Sequence, residues 1–447
     1  MMATAGCAEP SAMAVRAASA GAPLCRRLLT AHAPRCTHTF SLSLTQARFA
    51  IYSGDGLSGD ELVRRAAKRF GVRVPRVPRV APLRLRTLVE DRWYPVATVL
   101  GQSLGSVVLT AEALLRLRPR IFVDTAGYAF GYPLAAVCGA RVAAYVHYPT
   151  VSSDMLSRVR AGGAMYNNRG LVARSALAAR AKLLYYRAMM AAYSCAGRCA
   201  AAAAANSSWT RRHIERLWGG AVRTVFPPCD NRALAALPID RERMPLVLSV
   251  AQFRPEKDQL LQVRAFAAAL SLAKESAIDC SRWQLVIAGA TRNAADRARC
   301  EAVRNLADSL GVAAQVRVAA DVPLDELRSL MRRARAGLHT MLDEHFGISV
   351  VDFMAAGVVP IAHRSAGPKE DIVSESGECG YLAASESEYA ETIVRVLAMP
   401  AKEYSTMAAR GRARAARFSE EAFERALVEW LVADGVLPAK RRTLASS

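Results

Sequence analysis

The sequence contains no uninterrupted run of about 20 apolar residues, the length that a membrane-crossing helix requires. The nearest approaches are Tyr94–Ala111, interrupted by Gln102 and Ser103, and Thr125–Ala140. Both read as core helices that could also touch a membrane, so a soluble or peripheral protein is expected. Ten cysteines are present without a CxxC pair, and Cys195 and Cys199 have no histidine partner at zinc-site spacing. They read as buried or free thiols in a reducing compartment. No secretory signal with an apolar centre and cleavage site is visible. Acidic and Gln/Asn tracts are missing as well, which excludes a largely disordered chain. Acids are few overall: 39 Asp and Glu face 60 Lys and Arg, a net charge of +21. No zinc-finger, RRM-like or helix–turn–helix signature focuses that charge, so no nucleic-acid partner is expected. A phosphorylated substrate or a lipid headgroup surface fits the charge as well. Residues 1–48 hold Arg16, Arg26, Arg27, Arg35 and Arg48 but the single acid Glu9. This composition suits a transit peptide or a poorly ordered basic extension.

What is present is a rhythm. From Leu246 onward, short apolar runs alternate with longer amphipathic ones. Strands are expected at Leu246–Val250, Gln284–Ala288, Val316–Val318, Gly337–Thr340 and Val358–Ala362. Helices are expected at Asp258–Leu270, Ala294–Leu310, Leu324–Ala334 and Phe346–Ala356, with another starting at Lys369–Val373. Leu260, Leu261, Phe266 and Leu270 mark the apolar side of the first of these helices. The N-terminal half repeats the scheme less cleanly, with strands at Phe49–Ser53, Ile121–Asp124, Val142–His147, Ala200–Ala205 and Val222–Phe226. Its helices are expected at Asp60–Phe70, Val96–Leu117, Leu171–Ala192 and Ser208–Trp218. Such alternation implies α/β architecture: two Rossmann-like, doubly wound domains facing across a cleft. The domains are expected at 49–230 and 246–420, joined by a turn-rich linker at 231–245 and followed by a C-terminal helix and tail at 421–447.

Ligands of doubly wound folds bind outside the carboxyl ends of strands. After Val250 comes Gln252-Phe253-Arg254-Pro255-Glu256-Lys257-Asp258, which sets two cations at a helix N-terminus where an anion is already favoured. After Thr340 comes Glu344-His345-Phe346-Gly347-Ile348, with Asp352 eight positions beyond Glu344. Carboxylates accept hydrogen bonds from sugar hydroxyls, and Gly347 allows close backbone approach. After Ala362 comes His363-Arg364-Ser365-Ala366-Gly367-Pro368-Lys369, where small residues would expose backbone N–H groups to an anion.

Taken in order, these loops resemble the retaining GT-B glycosyltransferases of family four. QFRPEKD looks like that family's cationic diphosphate clamp, and EHFGISVVD like its paired-acid motif. Longer stretches narrow the resemblance: GYAFGYPL, YVHYPTVSSDML, NSSWT, FPPCD, HTMLDEHFGISVVDFMAAG and GPKEDIV. These are similar to the eukaryotic GDP-mannose-dependent α-1,2-mannosyltransferases of the Alg-eleven type, which act on dolichol-linked oligosaccharide. The similarity runs from about Ile51 to Phe423.

The resemblance implies that GDP-mannose is the donor and a diphosphodolichol-linked oligosaccharide the acceptor. The fourth and fifth mannoses of the N-glycosylation precursor would be added at the cytosolic face of the endoplasmic reticulum membrane. That membrane surface and other glycosyltransferases of the pathway are the further partners expected. By the same resemblance Arg254 and Lys257 hold the diphosphate and Glu344 the mannose hydroxyls. Phe346, Gly347, Ile348 and Gly367 present backbone to the donor, Asp352 meets the ribose, and His147 lies near the reacting sugar. No metal or other cofactor is expected, since no Asp-x-Asp motif occurs and two cations can take a magnesium ion's place. Three departures stand out. Asp352 replaces the second glutamate of the motif, Ala366 stands where relatives often carry glycine, and no counterpart of the family's Gly-rich loop precedes Phe49. The N-terminal domain is therefore expected without its first βα unit. A catalytically impaired or truncated paralogue, binding a nucleotide sugar or a partner protein, is the alternative reading.

Overall fold

The computed structural model describes residues 50–54, 56–70, 77–150, 176–229, 232–239, 242–373 and 375–438. The basic extension at 1–48, and the part of the YVHYPTVSSDML stretch beyond Thr150, lie outside them. The chain forms two compact units. The first takes the chain up to Asn206, then Thr210–Val225, then everything from Glu424; the second takes Ser207–Trp209 and Phe226–Phe423.

In the first unit, β1 (Ala50–Ser53) and β2 (Arg79–Pro82) form a parallel pair. A separate parallel sheet has the order β3-β4-β5-β6, from Ile121–Asp124, Arg141–Val146, Ala202–Ala205 and Arg223–Thr224. β5 is four alanines, all buried, so helices can approach it closely. Tyr132, Tyr193 and Trp218 fill one side, with Tyr132 edge-on to the indole at 6.0 Å between centroids. Gly197 is required there, because a Cβ would sit 2.2 Å from the Trp218 ring.

The inward side of the helix Thr98–Arg116 mixes small and hydroxyl residues with apolar ones: Ser103, Gly105, Ser106 and Thr110 are buried beside Val99, Leu109, Ala113 and Leu114. Three of its hydroxyls are satisfied inside the helix, Ser103 on Val99 O, Ser106 on Ser103 O and Thr110 on Ser106 O. Thr125–Ala140 does not form the expected core helix. Only Tyr132–Val137 is α-helical, following a 3-10 turn at Ala129–Gly131, because Gly127 and Gly139 take left-handed φ of 86° and 83° on either side of them.

In the second unit a six-stranded parallel sheet has the order β12-β11-β10-β7-β8-β9. The strands are β7 (Leu246–Val250), β8 (Gln284–Gly289), β9 (Val316–Ala320), β10 (Ala336–His339), β11 (Val359–His363) and β12 (Tyr381–Ala383). Their inner positions, such as Val247, Leu285, Ile287, Leu338 and Ile361, are buried on both faces, as covered parallel strands require. β2 and β12 are short and were not legible as strands. The helix expected to start at Lys369 is a single wide turn, Pro368–Ile372. In the helix Gln259–Glu275 the inward register is Gln259, Gln262, Val263 and Phe266, while Leu260 and Leu261 are only partly buried.

Part of the positive charge is internal. Arg243 is buried and donates to the carbonyls of Met331, Ala334 and Ala356, closing the C-terminal ends of two helices. Arg412 does the same for Ala355 and Leu237, Arg335 for Val396 and Met399, and Arg414 for Ile372 and Asp371. Near its end, the chain rejoins the first unit within the helix Glu420–Ala433. Leu427, Trp430 and Leu431 are buried there, and Asp434 pairs with Arg223 at 2.9 Å.

Candidate functional site

β7, β10 and β11 are neighbours in the sheet, so the three loops singled out by sequence lie side by side. From β7 the chain winds outward through β8 and β9, then returns to β10 on the other side of β7. The strand order therefore reverses between β7 and β10, and a ligand crevice is expected at that point.

Lys257 and Glu344 meet there. Lys257 Nζ donates to Glu344 Oε2 and lies 3.0 Å from Met341 Sδ. His339, buried at the end of β10, approaches the same carboxylate oxygen with Nε2 at 3.2 Å. Burial raises the Glu344 pKa, but the Lys257 charge, the His339 hydrogen bond and the His345 charge outweigh it. The carboxyl is held well below its usual range, so it is ionised at neutral pH and only accepts hydrogen bonds.

The Lys257 backbone is fixed by a buried polar relay. Gln262 Nε2 donates to Thr340 Oγ1 at 2.9 Å, and Thr340 Oγ1 donates to the Lys257 carbonyl at 2.8 Å. Gln259 Nε2 donates to the Gln252 carbonyl at 2.9 Å, which holds the start of the same loop. Asp258 turns the chain with a left-handed φ of 42° and caps the following helix through the Leu261 amide. Arg254 is buried, with Nη1 3.7 Å from Glu256 Oε1.

The Glu344 loop leads into the helix Ile348–Ala355 through Gly347, whose φ of 107° is a glycine conformation. The Phe346 ring belongs to the core, packed among Phe226 and Phe418, so only its backbone is available to a ligand. Ile348 is half-exposed at the start of the helix, where the dipole is positive. Asp352 lies one turn further on, and its charge, after burial, helps raise the Cys229 thiol well above its usual range.

The third loop differs from expectation in one respect. The Gly367 amide, expected to face an anion, donates to the Glu344 carbonyl at 2.9 Å. Glycine is needed there for packing, since a Cβ would sit 2.6 Å from Phe346 Cα and O. Ala366 beside it holds a left-handed φ of 46°, a conformation that glycine adopts without strain. Ser365 Oγ accepts the Asp343 amide at 2.8 Å and contacts His363 Nδ1 at 2.9 Å, tying the second and third loops together.

Of the sequence-derived residues, Arg254, Lys257, Glu344, Phe346, Gly347, Ile348, Asp352 and Gly367 all fall in the second unit, on these loops and the helix they start. His147 belongs to the first unit, at the end of β4, with its ring edge-on to Tyr145 at 5.0 Å. Sequence reasoning assigned no role to His339, Thr340, Gln259 or Gln262. Their signal was polarity at the end of a strand and on the inward side of a helix. It also passed over Asp124, which is buried at the end of β3. Burial raises the Asp124 carboxyl pKa, although it accepts the Tyr132 hydroxyl at 2.6 Å and the amides of Ala126, Gly127 and Tyr128. Among the described residues, no group of three or more His, Cys, Asp or Glu side chains is placed to hold a metal ion.

Residues 36–218 match the family model described as "ALG11 mannosyltransferase N-terminus", and residues 238–414 match "Glycosyl transferases group 1". A human relative named "GDP-Man:Man(3)GlcNAc(2)-PP-Dol alpha-1,2-mannosyltransferase" is 41% identical over 388 residues, covering 85% of this chain and 78% of the relative. A protein of the same name from Dictyostelium discoideum is 38% identical, covering 86% of this chain and 77% of its own. Among solved structures, a glycosyltransferase from Rickettsia africae superposes with a TM-score of 0.59 at 13% identity, over 92% of this chain and 94% of its own. Anabaena HepE in complex with UDP and glucose superposes with a TM-score of 0.55 at 16% identity, over 86% of this chain and 98% of its own. These structural likenesses identify the fold as GT-B.

Proposed function

The chain belongs to the ALG11 family of eukaryotic α-1,2-mannosyltransferases, and we propose that it transfers mannose from GDP-mannose to a diphosphodolichol-linked trimannosyl oligosaccharide with retention of configuration. Its products carry the fourth and fifth mannoses of the N-glycosylation precursor. The acceptor's dolichol tail requires work at a membrane, and the cytosolic face of the endoplasmic reticulum is the surface proposed.

One observation carries the donor assignment: Lys257 and Glu344 meet where the strand order reverses between β7 and β10. The diphosphate is bound by Lys257 and Arg254, whose charges stabilise it as it leaves. A preorganised cation gains most where charge develops, and here the leaving diphosphate gains charge as the glycosidic bond breaks. Two cations supply what a metal ion supplies elsewhere, so no metal is proposed. Glu344 accepts hydrogen bonds from mannose hydroxyls. A carboxylate held ionised by Lys257 and His339 is a good acceptor and a weak base, which supports binding over nucleophilic attack. Gly347 and the start of the Ile348–Ala355 helix favour the donor's negative charge, and Asp352 takes the ribose hydroxyls. His147 is assigned to the acceptor side of the reacting sugar.

The test is mannose transfer by purified full-length protein from GDP-mannose to a lipid-linked trimannosyl acceptor, with the anomeric linkage read by linkage-specific mannosidase. Transfer giving α-1,2 linkages is expected. GDP-mannose binding without any turnover would overturn the assignment as an active transferase.

A further inference from the structure

Among the described residues, every hydrogen bond that reaches the Glu344 carboxylate falls on one of its two oxygens. Lys257 Nζ donates to Oε2, and His339 Nε2 lies 3.2 Å from the same atom. No hydrogen bond reaches Oε1, yet that atom is not among the sealed, unpartnered polar atoms of the fold. The side chain keeps 16% of its surface exposed, so Oε1 is the oxygen open to a ligand.

The two partners of Oε2 differ in freedom. The Lys257 ammonium stands on a flexible four-carbon stem, and its other close neighbour is Met341 Sδ at 3.0 Å, a weak acceptor. A diphosphate would compete for that ammonium. His339 has no such latitude. It is buried at the end of β10, in register with Ala362 of β11, and its carbonyl accepts the Tyr389 hydroxyl at 3.1 Å. Its Nδ1 is buried and meets no hydrogen-bond partner among the described residues. With a carboxylate beside Nε2, the ring hydrogen belongs on Nε2. Placed on Nδ1 it would go unpaired, and lone pairs on Nε2 and Oε2 would face one another. His345, the other histidine near this carboxylate, acts on it through charge, and its ring stacks on Trp209 at 5.6 Å between centroids.

We infer that His339 is a positioning residue: its Nε2–H pins Glu344 Oε2 when Lys257 turns to the diphosphate, and so keeps Oε1 aimed at the hydroxyls of the donor sugar. This role rests on the donor site proposed above and divides its carboxylate, one oxygen for the protein and one for the sugar. His339 then matters for the sugar half of the donor and not for its nucleotide half.

The experiment measures GDP-mannose and GDP affinity by calorimetry, mannose transfer and thermal unfolding on the full chain. Wild type, His339→Asn, His339→Gln and Glu344→Gln are compared. A glutamine amide nitrogen reaches the place of Nε2 and an asparagine amide that of Nδ1, so only glutamine restores the donor. His339→Asn should weaken GDP-mannose about tenfold with GDP within about twofold of wild type, and His339→Gln should bring GDP-mannose back to within about threefold. Nitrogen-15 spectra of histidine-labelled wild type, with the His339 signals assigned by their loss in His339→Gln, should show the hydrogen on Nε2. A hydrogen on Nδ1 overturns the inference even if His339→Asn does not fold. Equal losses for GDP and GDP-mannose in His339→Asn overturn it too, as does a glutamine variant no better than the asparagine one. Impaired Glu344→Gln beside an unaffected His339→Asn overturns the His339 role alone. Unchanged GDP-mannose affinity and transfer in Glu344→Gln would sink the donor reading itself, and the His339 role with it.

Discussion

Lys257→Ala removes the cation at the strand-order reversal, and its two consequences can be separated. The catalytic one follows from charge. A charge-assisted hydrogen bond is worth about 1.5–3 kcal/mol, and loss of one preorganised donor to a developing anion costs roughly 100- to 1000-fold in rate. A fall in kcat/KM of that size is expected, with weaker GDP-mannose binding by calorimetry. The structural consequence follows from burial. Glu344 loses its principal counter-charge and keeps His339 at 3.2 Å. Removing one partner of a fully buried pair costs about 3–5 kcal/mol. Here the Lys257 and Glu344 side chains are 21% and 16% exposed, so solvent screens part of that loss and about 2 kcal/mol is expected. For a unit of this size that lowers the unfolding temperature by roughly 4–8 °C, leaving the protein folded at 25 °C. Mannose transfer and thermal unfolding on the same preparation decide the matter. A variant within about threefold of wild-type kcat/KM would refute the diphosphate role. A variant already unfolded at assay temperature would show that the pair is structural first.

Outcomes at four positions follow. Glu344→Gln should cut mannose transfer and also flatten acid denaturation. The wild-type carboxyl is depressed in the fold, so its stabilisation is complete above its ordinary pKa of 4.5 and drains away as pH falls below that. Urea unfolding between neutral pH and pH values below 4.5 should therefore be steeper in pH for wild type than for the variant, and identical slopes would contradict the assignment. Ala366→Gly should stabilise by about 0.5–1 kcal/mol, because relief of the left-handed strain exceeds the added chain entropy. Its neighbour Gly367→Ala should destabilise by about 1–3 kcal/mol, since its Cβ meets Phe346 backbone; chemical denaturation reads both signs. Asp124→Ala should cost about 3 kcal/mol, leaving the Tyr132 hydroxyl and three amides without their acceptor, and Asp124→Asn should recover part of it in the same assay.

Much of the molecule was legible in one dimension because its signals are local. Alternating apolar runs announced β7 to β11, and Arg254, Lys257 and Glu344 sit where strand–loop–helix chemistry places ligand groups. Short elements with no period of their own escaped: β2 begins with an arginine and ends in a proline, and β12 has only three residues. The inward side of the Gln259–Glu275 helix was misjudged because its first turn buries glutamines. Gln259 serves a hydrogen bond to Gln252 in the preceding loop, and Gln262 one to Thr340, adjacent in space but not in the chain.

The sequence alone decided the family, the parallel α/β layers and the order of the three donor loops, since each rests on residue type and short-range spacing. Only the tertiary structure decided that Lys257 and Glu344 are partners across 87 residues and that His339 shares the carboxylate. It also decided that four arginines close helices and loops inside the fold, and that the helix Thr98–Arg116 buries Ser103 and Ser106 while leaving Leu100, Leu104 and Leu115 exposed. Those outcomes depend on which strand lies beside which and on which side of a helix meets a neighbour. Composition and period leave both open, because a stripe of leucines reads as core until packing shows it facing outward.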